Sequence, residues 1–264
     1  MDRIKVLFTE GDSWTSGDII DPELDISFVN DPSNDEYRLP KVWPSKLAKI
    51  LKCKSVNTSV AGSSNDGIVR RCLNKIPELL TTYKPEDILV IIGWSSPERK
   101  DFFYKNSWDT LYPAQYDTYH SSDEIKQFYN TYLNYFWKEE EYLTRYVNNV
   151  ILLHNFFENL NIRHYFFDAF YERKEVGLKK TNSLYSYINT FYKKSSKSSY
   201  LRHINLDFSI PYYYNIYKSN YIEKTFKEFI NKKLTDKTYF EDYHPTETSH
   251  QLWANYLYEK IDND

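Results

Sequence analysis

The chain has 264 residues and a net charge of −3, with acidic and basic residues mixed along its length. This length favours one α/β domain with insertions over two complete domains, and the mixed charge does not indicate nucleic acid or a membrane surface as a partner. There is no transmembrane segment and no signal peptide ahead of the first strand, so we expect a cytoplasmic protein, or a virion or host-cytoplasm location if the source is viral.

The first third of the chain predicts strands that alternate with helices. Short apolar runs typical of buried parallel strands lie at residues 4–8, 55–57 and 87–93. The first helix is expected from residue 44, with proline in its first turn. Either Asn65 or Asp66 is expected to cap the second helix, which Pro77 kinks or ends.

The rest of the chain continues this alternation and adds two insertions. Further strands are predicted at residues 163–167 and 203–208, and helices at 123–160, at 219–233 and after Thr246. We therefore expect a three-layer α/β sandwich with a central, mostly parallel sheet of about five strands. Residues 1–264 are expected to form one domain, with insertions near 97–125 and 171–235.

A serine and a histidine at opposite ends of the chain are candidate catalytic residues. The first apolar strand runs directly into Gly-Asp-Ser, so Ser13 lies on a turn at the carboxyl end of a strand, where reactive groups of open α/β sheets collect. His244 follows Asp242 closely, which matches the chain order Ser…Asp…His of one group of serine hydrolases. A serine needs a base to accept its proton, and that base needs an orienting acid. The alternatives are that Ser13 only caps a turn and that His244 only precedes a helix.

Four ordered motifs resemble the blocks of the SGNH (GDSL-type) hydrolase family. They are Gly-Asp-Ser at 11–13, Asn-Thr-Ser-Val-Ala-Gly-Ser-Ser-Asn at 57–65, Gly-Trp-Ser at 93–95 and Asp-Tyr-His-Pro at 242–245. The resemblance implies a flavodoxin-like fold, a triad of Ser13, Asp242 and His244, and no cofactor. It also implies that the backbone N–H groups of Ser13 and Gly62 bind the oxyanion.

The chain departs from the family pattern at two positions. Ser95 stands where the third block has asparagine, so either its hydroxyl or the amide of Asn65 is expected to supply the missing donor. The family's acid usually stands three residues before the histidine, which is the position of Glu241. We favour Asp242, because shortened Asp-x-His-Pro endings resemble variants of the family, and we keep Glu241 as the alternative.

Other reactive side chains form no recognisable set. Cys53 and Cys72 are expected to be free thiols, and His250 a packing or surface residue of the last helix. Arg99 is either a surface residue or a ligand for an anionic group. Four further histidines show no mutual ligand spacing, so no metal is predicted. They are His120, His154, His164 and His203.

The resemblance implies an acyl or acetyl esterase that works through an acyl-enzyme, with a small acylated molecule or a glycan as its substrate. The alternative is a catalytically weakened SGNH fold that acts as a sugar-binding or virion structural protein. The altered third block favours this alternative, and the retained serine and Asp-x-His motif oppose it. Loss of one oxyanion donor typically lowers the rate by about 10²–10³-fold, which weakens an enzyme without abolishing it.

Overall fold

The structure is a computed structural model that describes residues 4–17, 34–113, 122–169, 215–216, 219–233 and 244–261. Its strands are β1 (Val6–Glu10), β2 (Lys54–Asn57), β3 (Ile88–Trp94), β4 (Lys100–Tyr104), β5 (Ser107–Leu111) and β6 (Arg163–Asp168). Its helices are α1 (Ser13–Ser16), α2 (Asp35–Arg38), α3 (Trp43–Leu51), α4 (Asn65–Leu80), α5 (Asp123–Thr131), α6 (Glu139–Asn159), α7 (Phe226–Lys233) and α8 (Glu247–Ile261).

Four parallel strands form the central sheet in the spatial order β2-β1-β3-β6. Phe8 of β1 lies between Val56 of β2 and Val90 of β3, and Ile91 of β3 pairs with Tyr165 of β6. Because the four strands run in the same direction, the loops that follow β1, β2 and β3 meet at one edge. Such edges are where open α/β sheets place their ligands.

Helices cover both faces of this sheet, because alternate residues of each strand point to opposite faces. One face packs against α4 and α6 through a buried cluster that includes Val6, Phe8, Val90 and Ile92 from the strands and Ile68, Cys72, Ile76, Val150 and Leu153 from the helices. The other face packs against α3, α7 and α8 through Leu7, Leu89, Ile91, Trp43, Leu47, Phe226, Trp253 and Leu257. Each fully buried side chain of this size contributes about 1.5–3 kcal/mol. The predicted three-layer α/β sandwich with a parallel central sheet is confirmed.

One expectation about the sheet is left open, and two details of α4 can be compared with the expectations. The described sheet has four strands, and the fifth predicted strand, 203–208, lies outside the described residues. Ser64, rather than Asn65 or Asp66, caps α4, because its hydroxyl accepts a hydrogen bond from the Gly67 N–H at 3.1 Å. Pro77 does not end α4, which continues to Leu80. The expectation of one domain across residues 1–264 stays a prediction.

The predicted insertion near 97–125 contains an antiparallel hairpin of β4 and β5. Its turn is made by Lys105 and Asn106, which both have positive φ angles, 42° and 67°. Two consecutive residues with positive φ are typical of tight hairpin turns, in which glycine or asparagine is usual and lysine is not.

Among the helices of the described ranges, none combines the length and the apolar character that a membrane-spanning helix needs.

Candidate active site

Ser13 is the first residue of α1, directly beyond the end of β1. Asp12 caps this helix, because its Oδ1 accepts a hydrogen bond from the Trp14 N–H at 3.0 Å. A side chain at Gly11 would collide with Thr15, so the sharp turn needs glycine there. The turn leaves Ser13 7% exposed. None of the hydrogen bonds among the described residues uses the Ser13 hydroxyl, so its oxygen lies at the site without a partner in that part of the chain.

The Asp12 carboxylate connects the end of β1 to the end of β3. Its Oδ2 accepts hydrogen bonds from the Ser95 hydroxyl at 2.8 Å and from Arg99 Nη1 at 3.4 Å. The same Arg99 nitrogen donates to the Ser95 oxygen at 2.8 Å. Burial raises the pKa of Asp12, whereas the Arg99 charge and the Ser95 hydrogen bond oppose that rise. Arg99 therefore belongs to the site as the counterion of a buried carboxylate.

Asn65 holds the backbone of the third block in place. Its side-chain oxygen accepts from the Ser95 N–H at 2.8 Å, and its Nδ2 donates to the Ser95 carbonyl at 3.0 Å. The amide thus engages Ser95 through both of its ends, and only the second hydrogen on Nδ2 remains for another acceptor. The expectation that Asn65 or Ser95 binds an oxyanion stays a prediction, and in this structure both residues make contacts that join the loops of the site.

Gly62 has a left-handed backbone conformation, with φ of 77°. A methyl group at this position would overlap the hydroxyl of Tyr112, which donates a hydrogen bond to the Gly62 carbonyl. Tyr112 directly follows β5, and the Arg99 guanidinium lies 5.0 Å from the centre of its ring. The chain therefore leaves the site after Ser95, forms the hairpin, and returns to the site at Tyr112, which contacts Gly62. No motif in the sequence indicates this role of Tyr112, because the hairpin creates the contact.

A buried ion pair between Glu10 and Arg71 lies at the same edge of the sheet. Glu10, the last residue of β1, accepts from Arg71 Nε at 3.0 Å and from Arg71 Nη2 at 2.8 Å. It also accepts from the Gly11 N–H at 3.0 Å and from the Thr58 hydroxyl at 2.6 Å. Arg71 Nη2 donates to the Ser63 hydroxyl at 2.6 Å as well. These contacts tie β1, the loop after β2 and α4 together beside Ser13.

His244 lies partly buried just before α8. Burial raises the pKa of Asp12. The electrostatic interaction of this carboxyl with the His244 imidazole opposes that rise. The two candidate acids, Asp242 and Glu241, lie outside the described residues.

His250 is a packing residue, as expected. Its Nδ1 accepts a hydrogen bond from the Trp43 N–H at 3.2 Å, and its ring lies 5.4 Å from that of Phe226. Burial lowers its pKa to about 3, so His250 is neutral near pH 7. The structure therefore brings together Ser13, Gly62, Asn65 and Ser95, and leaves His250 in the core.

Residues 23–185 match the model of a family of unknown function, DUF6071. The chain belongs to the DUF6071 family. The region that defines this family includes the loop with Gly62 and the third block with Ser95, whereas Ser13 and His244 lie on either side of it. No curated protein matches this DUF6071 chain.

Among solved structures, the DUF6071 chain is similar to an acetylxylan esterase from Geobacillus stearothermophilus, with 16% identity, a TM-score of 0.45, and coverage of 98% of this chain and 96% of that one. It is similar to a psychrotrophic esterase from Pseudoalteromonas sp., with 13% identity, a TM-score of 0.46, and coverage of 98% and 97%. A member of the lipolytic G-D-S-L family from Veillonella parvula has 11% identity, a TM-score of 0.45, and coverage of 97% of both chains.

Proposed function

We propose that the protein is a serine ester hydrolase of the SGNH type that removes acyl or acetyl groups from a small molecule or a carbohydrate. The observation that carries the proposal is the convergence of Ser13, Gly62 and Ser95 at one edge of the sheet, fixed by the contacts of Asp12 and Asn65. His244, which lies just before α8, is the base that we propose for Ser13.

The proposed reaction has two steps and needs no cofactor. Ser13 Oγ attacks the ester carbonyl carbon while His244 accepts the serine proton, and His244 then returns that proton to the departing alcohol. Water attacks the resulting acyl-enzyme, again giving a proton to His244, and the carboxylic acid leaves as Ser13 recovers its proton. Asp242, with Glu241 as the alternative, would orient the imidazole and stabilise its charged form.

The oxyanion formed in each step needs donors that are already in place. We assign this task to the backbone N–H groups of Ser13 and Gly62. The left-handed conformation of Gly62 and its contact with Tyr112 fix the orientation of this loop. The Ser95 hydroxyl donates a hydrogen bond to Asp12 in this structure, and its role as an additional oxyanion donor stays a prediction.

A groove of about 290 Å³ lies beside α1 and is the candidate binding site for the substrate. It is lined on one side by Asp35, Arg38 and Leu39 and on the other by residues 57–60. Arg38 donates to the Ser16 carbonyl and Asn57 Nδ2 donates to the Thr15 carbonyl at 3.1 Å, so both walls are attached to the helix that begins with Ser13. Its mixture of charged, amide and apolar groups suits a polar alcohol such as a sugar more than a long acyl chain.

Hydrolysis of p-nitrophenyl acetate tests the proposal. The parent protein should release p-nitrophenol with saturation kinetics, and Ser13→Ala should fall to the background rate. Ser16→Ala is the matched control, because Ser16 is buried in the same turn and its hydroxyl has no hydrogen-bond partner among the described residues. A phosphonate ester probe should label Ser13 in the parent only. Equal activity of the parent and Ser13→Ala would refute Ser13 as the nucleophile.

The binding alternative has one specific observation in its favour, the replacement of the third-block asparagine by Ser95. A parent protein that is inactive on acetylated substrates, yet binds an acetylated glycan equally well with and without Ser13→Ala, would establish the weakened fold. Screening acetylated glycans for released acetate covers both functions with the same ligands.

A further inference from the structure

Two histidines that show no metal-ligand spacing in the sequence lie next to each other where α6 packs on β6. His154 Nδ1 of α6 lies 2.9 Å from His164 Nε2 of β6. Glu158 lies one helical turn after His154, and each of the three residues offers a ligand atom within 4.8 Å of the other two. The cluster crosses from a helix to the strand that it covers, which is why chain spacing did not reveal it.

The local contacts orient His164 as a metal ligand. Its Nδ1 lies 3.0 Å from the Ile162 carbonyl, which can only accept a hydrogen bond, so Nδ1 carries the proton and Nε2 carries the lone pair. This lone pair points towards His154. A backbone carbonyl bound to the far nitrogen is the usual arrangement that fixes a metal-binding imidazole.

We propose that His154, Glu158 and His164 bind one Zn²⁺ ion. Two imidazoles and one carboxylate form an established zinc ligand set, with water as the fourth ligand. Zn–N bonds of about 2.0–2.1 Å in a tetrahedral site place two ligand nitrogens about 3.3 Å apart. The present separation of 2.9 Å is shorter, so a modest rotation of the half-buried His154 ring makes room for the ion.

Glu158 and Asn220 border the cluster. Glu158 Oε1 lies 3.9 Å from His164 Nδ1. Because 58% of the Glu158 side chain is exposed, its carboxylate is free to turn towards the Nε2 side of the ring, where His154 lies. Asn220 Nδ2 lies 3.4 Å from His164 Nε2 and donates to the His164 carbonyl at 3.2 Å, so it borders the site on another side. The competing state is the hydrogen-bonded histidine pair, which Zn²⁺ would replace.

The site is separate from the candidate active site. His164 pairs with Val90, whereas Asp168, four residues later on β6, pairs with Trp94 at the edge where Ser95 begins. At a rise of about 3.3 Å per residue, roughly 13 Å of strand lies between them. The ion would therefore fasten α6 to β6 and stabilise the fold without touching the ester, so the inference goes beyond the proposed esterase.

Calorimetric titration of the tag-free, chelator-treated protein with Zn²⁺ at pH 7.5 tests the inference. We expect one ion per chain with a micromolar or lower Kd, and a higher melting temperature in the presence of Zn²⁺. Glu158→Gln should weaken Zn²⁺ binding by at least about 10-fold. Loss of a group that only hydrogen-bonds to a metal ligand already has an effect of this size, and loss of the ligand itself should have at least the same effect. His154→Gln keeps a donor for His164 and should weaken binding further.

The matched control is Glu78→Gln, which changes another exposed glutamate on a helix and should leave Zn²⁺ affinity unchanged. Absence of Zn²⁺ binding to the parent at roughly 100 μM would overturn the inference, because a site weaker than this would add little to the stability of the fold. Binding that Glu158→Gln and His154→Gln leave unaltered would also overturn it. If His154→Gln fails to fold, the exposed Glu158 position still decides the question.

Discussion

Removal of Arg71 should destabilise the protein in a pH-dependent way, because it leaves the buried Glu10 carboxylate without its counterion. The Glu10 side chain is fully buried and receives two of its hydrogen bonds from Arg71, of which 23% is exposed. Removing one partner of a buried ion pair costs about 3–5 kcal/mol. Because Arg71 is partly exposed, we expect Arg71→Met to lose about 3 kcal/mol at pH 8, near the lower end of that range.

The pH dependence follows from the protonation of Glu10. Burial already raises its pKa above the ordinary value of 4.5, although Arg71 opposes the rise. Without Arg71 the pKa of folded Glu10 should rise further, so that folding takes up a proton. Stability is then fully present below pH 4.5 and falls as pH increases towards the folded pKa. Arg71→Met should therefore lose less stability at pH 5 than at pH 8, with about 1.4 kcal/mol for each unit of additional shift.

Urea unfolding followed by tryptophan fluorescence at pH 5 and pH 8 measures both quantities. Lys75→Met on the same helix is the matched control, because its partner Glu78 is 66% exposed and such surface pairs contribute about 0–1 kcal/mol. Adding Glu10→Gln to Arg71→Met should restore part of the stability at pH 8. Equal losses at the two pH values would refute the assignment of the cost to a buried charge, and so would an equal loss in Lys75→Met.

Four further outcomes test the active site and the core. Asp242→Asn should lower kcat by up to about 10⁴-fold while Glu241→Gln has little effect, and the reverse result would assign the acid to Glu241. Ser95→Ala should lower kcat with KM nearly unchanged, and Ser95→Asn should hold or raise kcat, whereas parental kinetics for both would exclude Ser95 as an oxyanion donor. Gly62→Ala should abolish esterase activity, and a fully active variant would exclude this loop from the oxyanion site. Since folded His250 has a pKa of about 3 against an ordinary 6.5, the parent should lose stability as pH falls from 6.5 towards 3; His250→Asn should make this loss shallower, and an unchanged slope in urea unfolding would contradict it.

The fold could be predicted because its strands are short apolar runs between recognisable helices. β3 and β6 were identified within one residue at each end, since parallel strands covered on both faces leave almost no polar positions. The hairpin of β4 and β5 could not be predicted, because its turn uses Lys105 and Asn106 and its strands lie mostly at the surface.

The candidate site could be predicted in its residues but not in its contacts. The strand end and the chain order of serine and histidine indicated Ser13 as a candidate, and the resemblance to the SGNH blocks indicated Gly62 and Ser95. The two-ended amide contact of Asn65 with Ser95 depends on the approach of two loops in space, and no local pattern encodes it. The meeting of His154 with His164 was missed for the same reason, because it requires a helix to pack on a particular strand.

The order of the strands in the sheet has a consequence for how the protein folds. β1 occupies an interior position, where Val6 pairs with Lys54 of β2 and with Ile88 of β3, 48 and 82 residues later, and the pairing of Leu89 with Arg163 joins segments 74 residues apart. Contacts between distant segments form only after large loops close, which slows folding. On the ribosome, the first strand must wait for most of this sheet to be synthesised. The turn that carries Ser13 is therefore among the first parts translated and among the last to reach its native geometry.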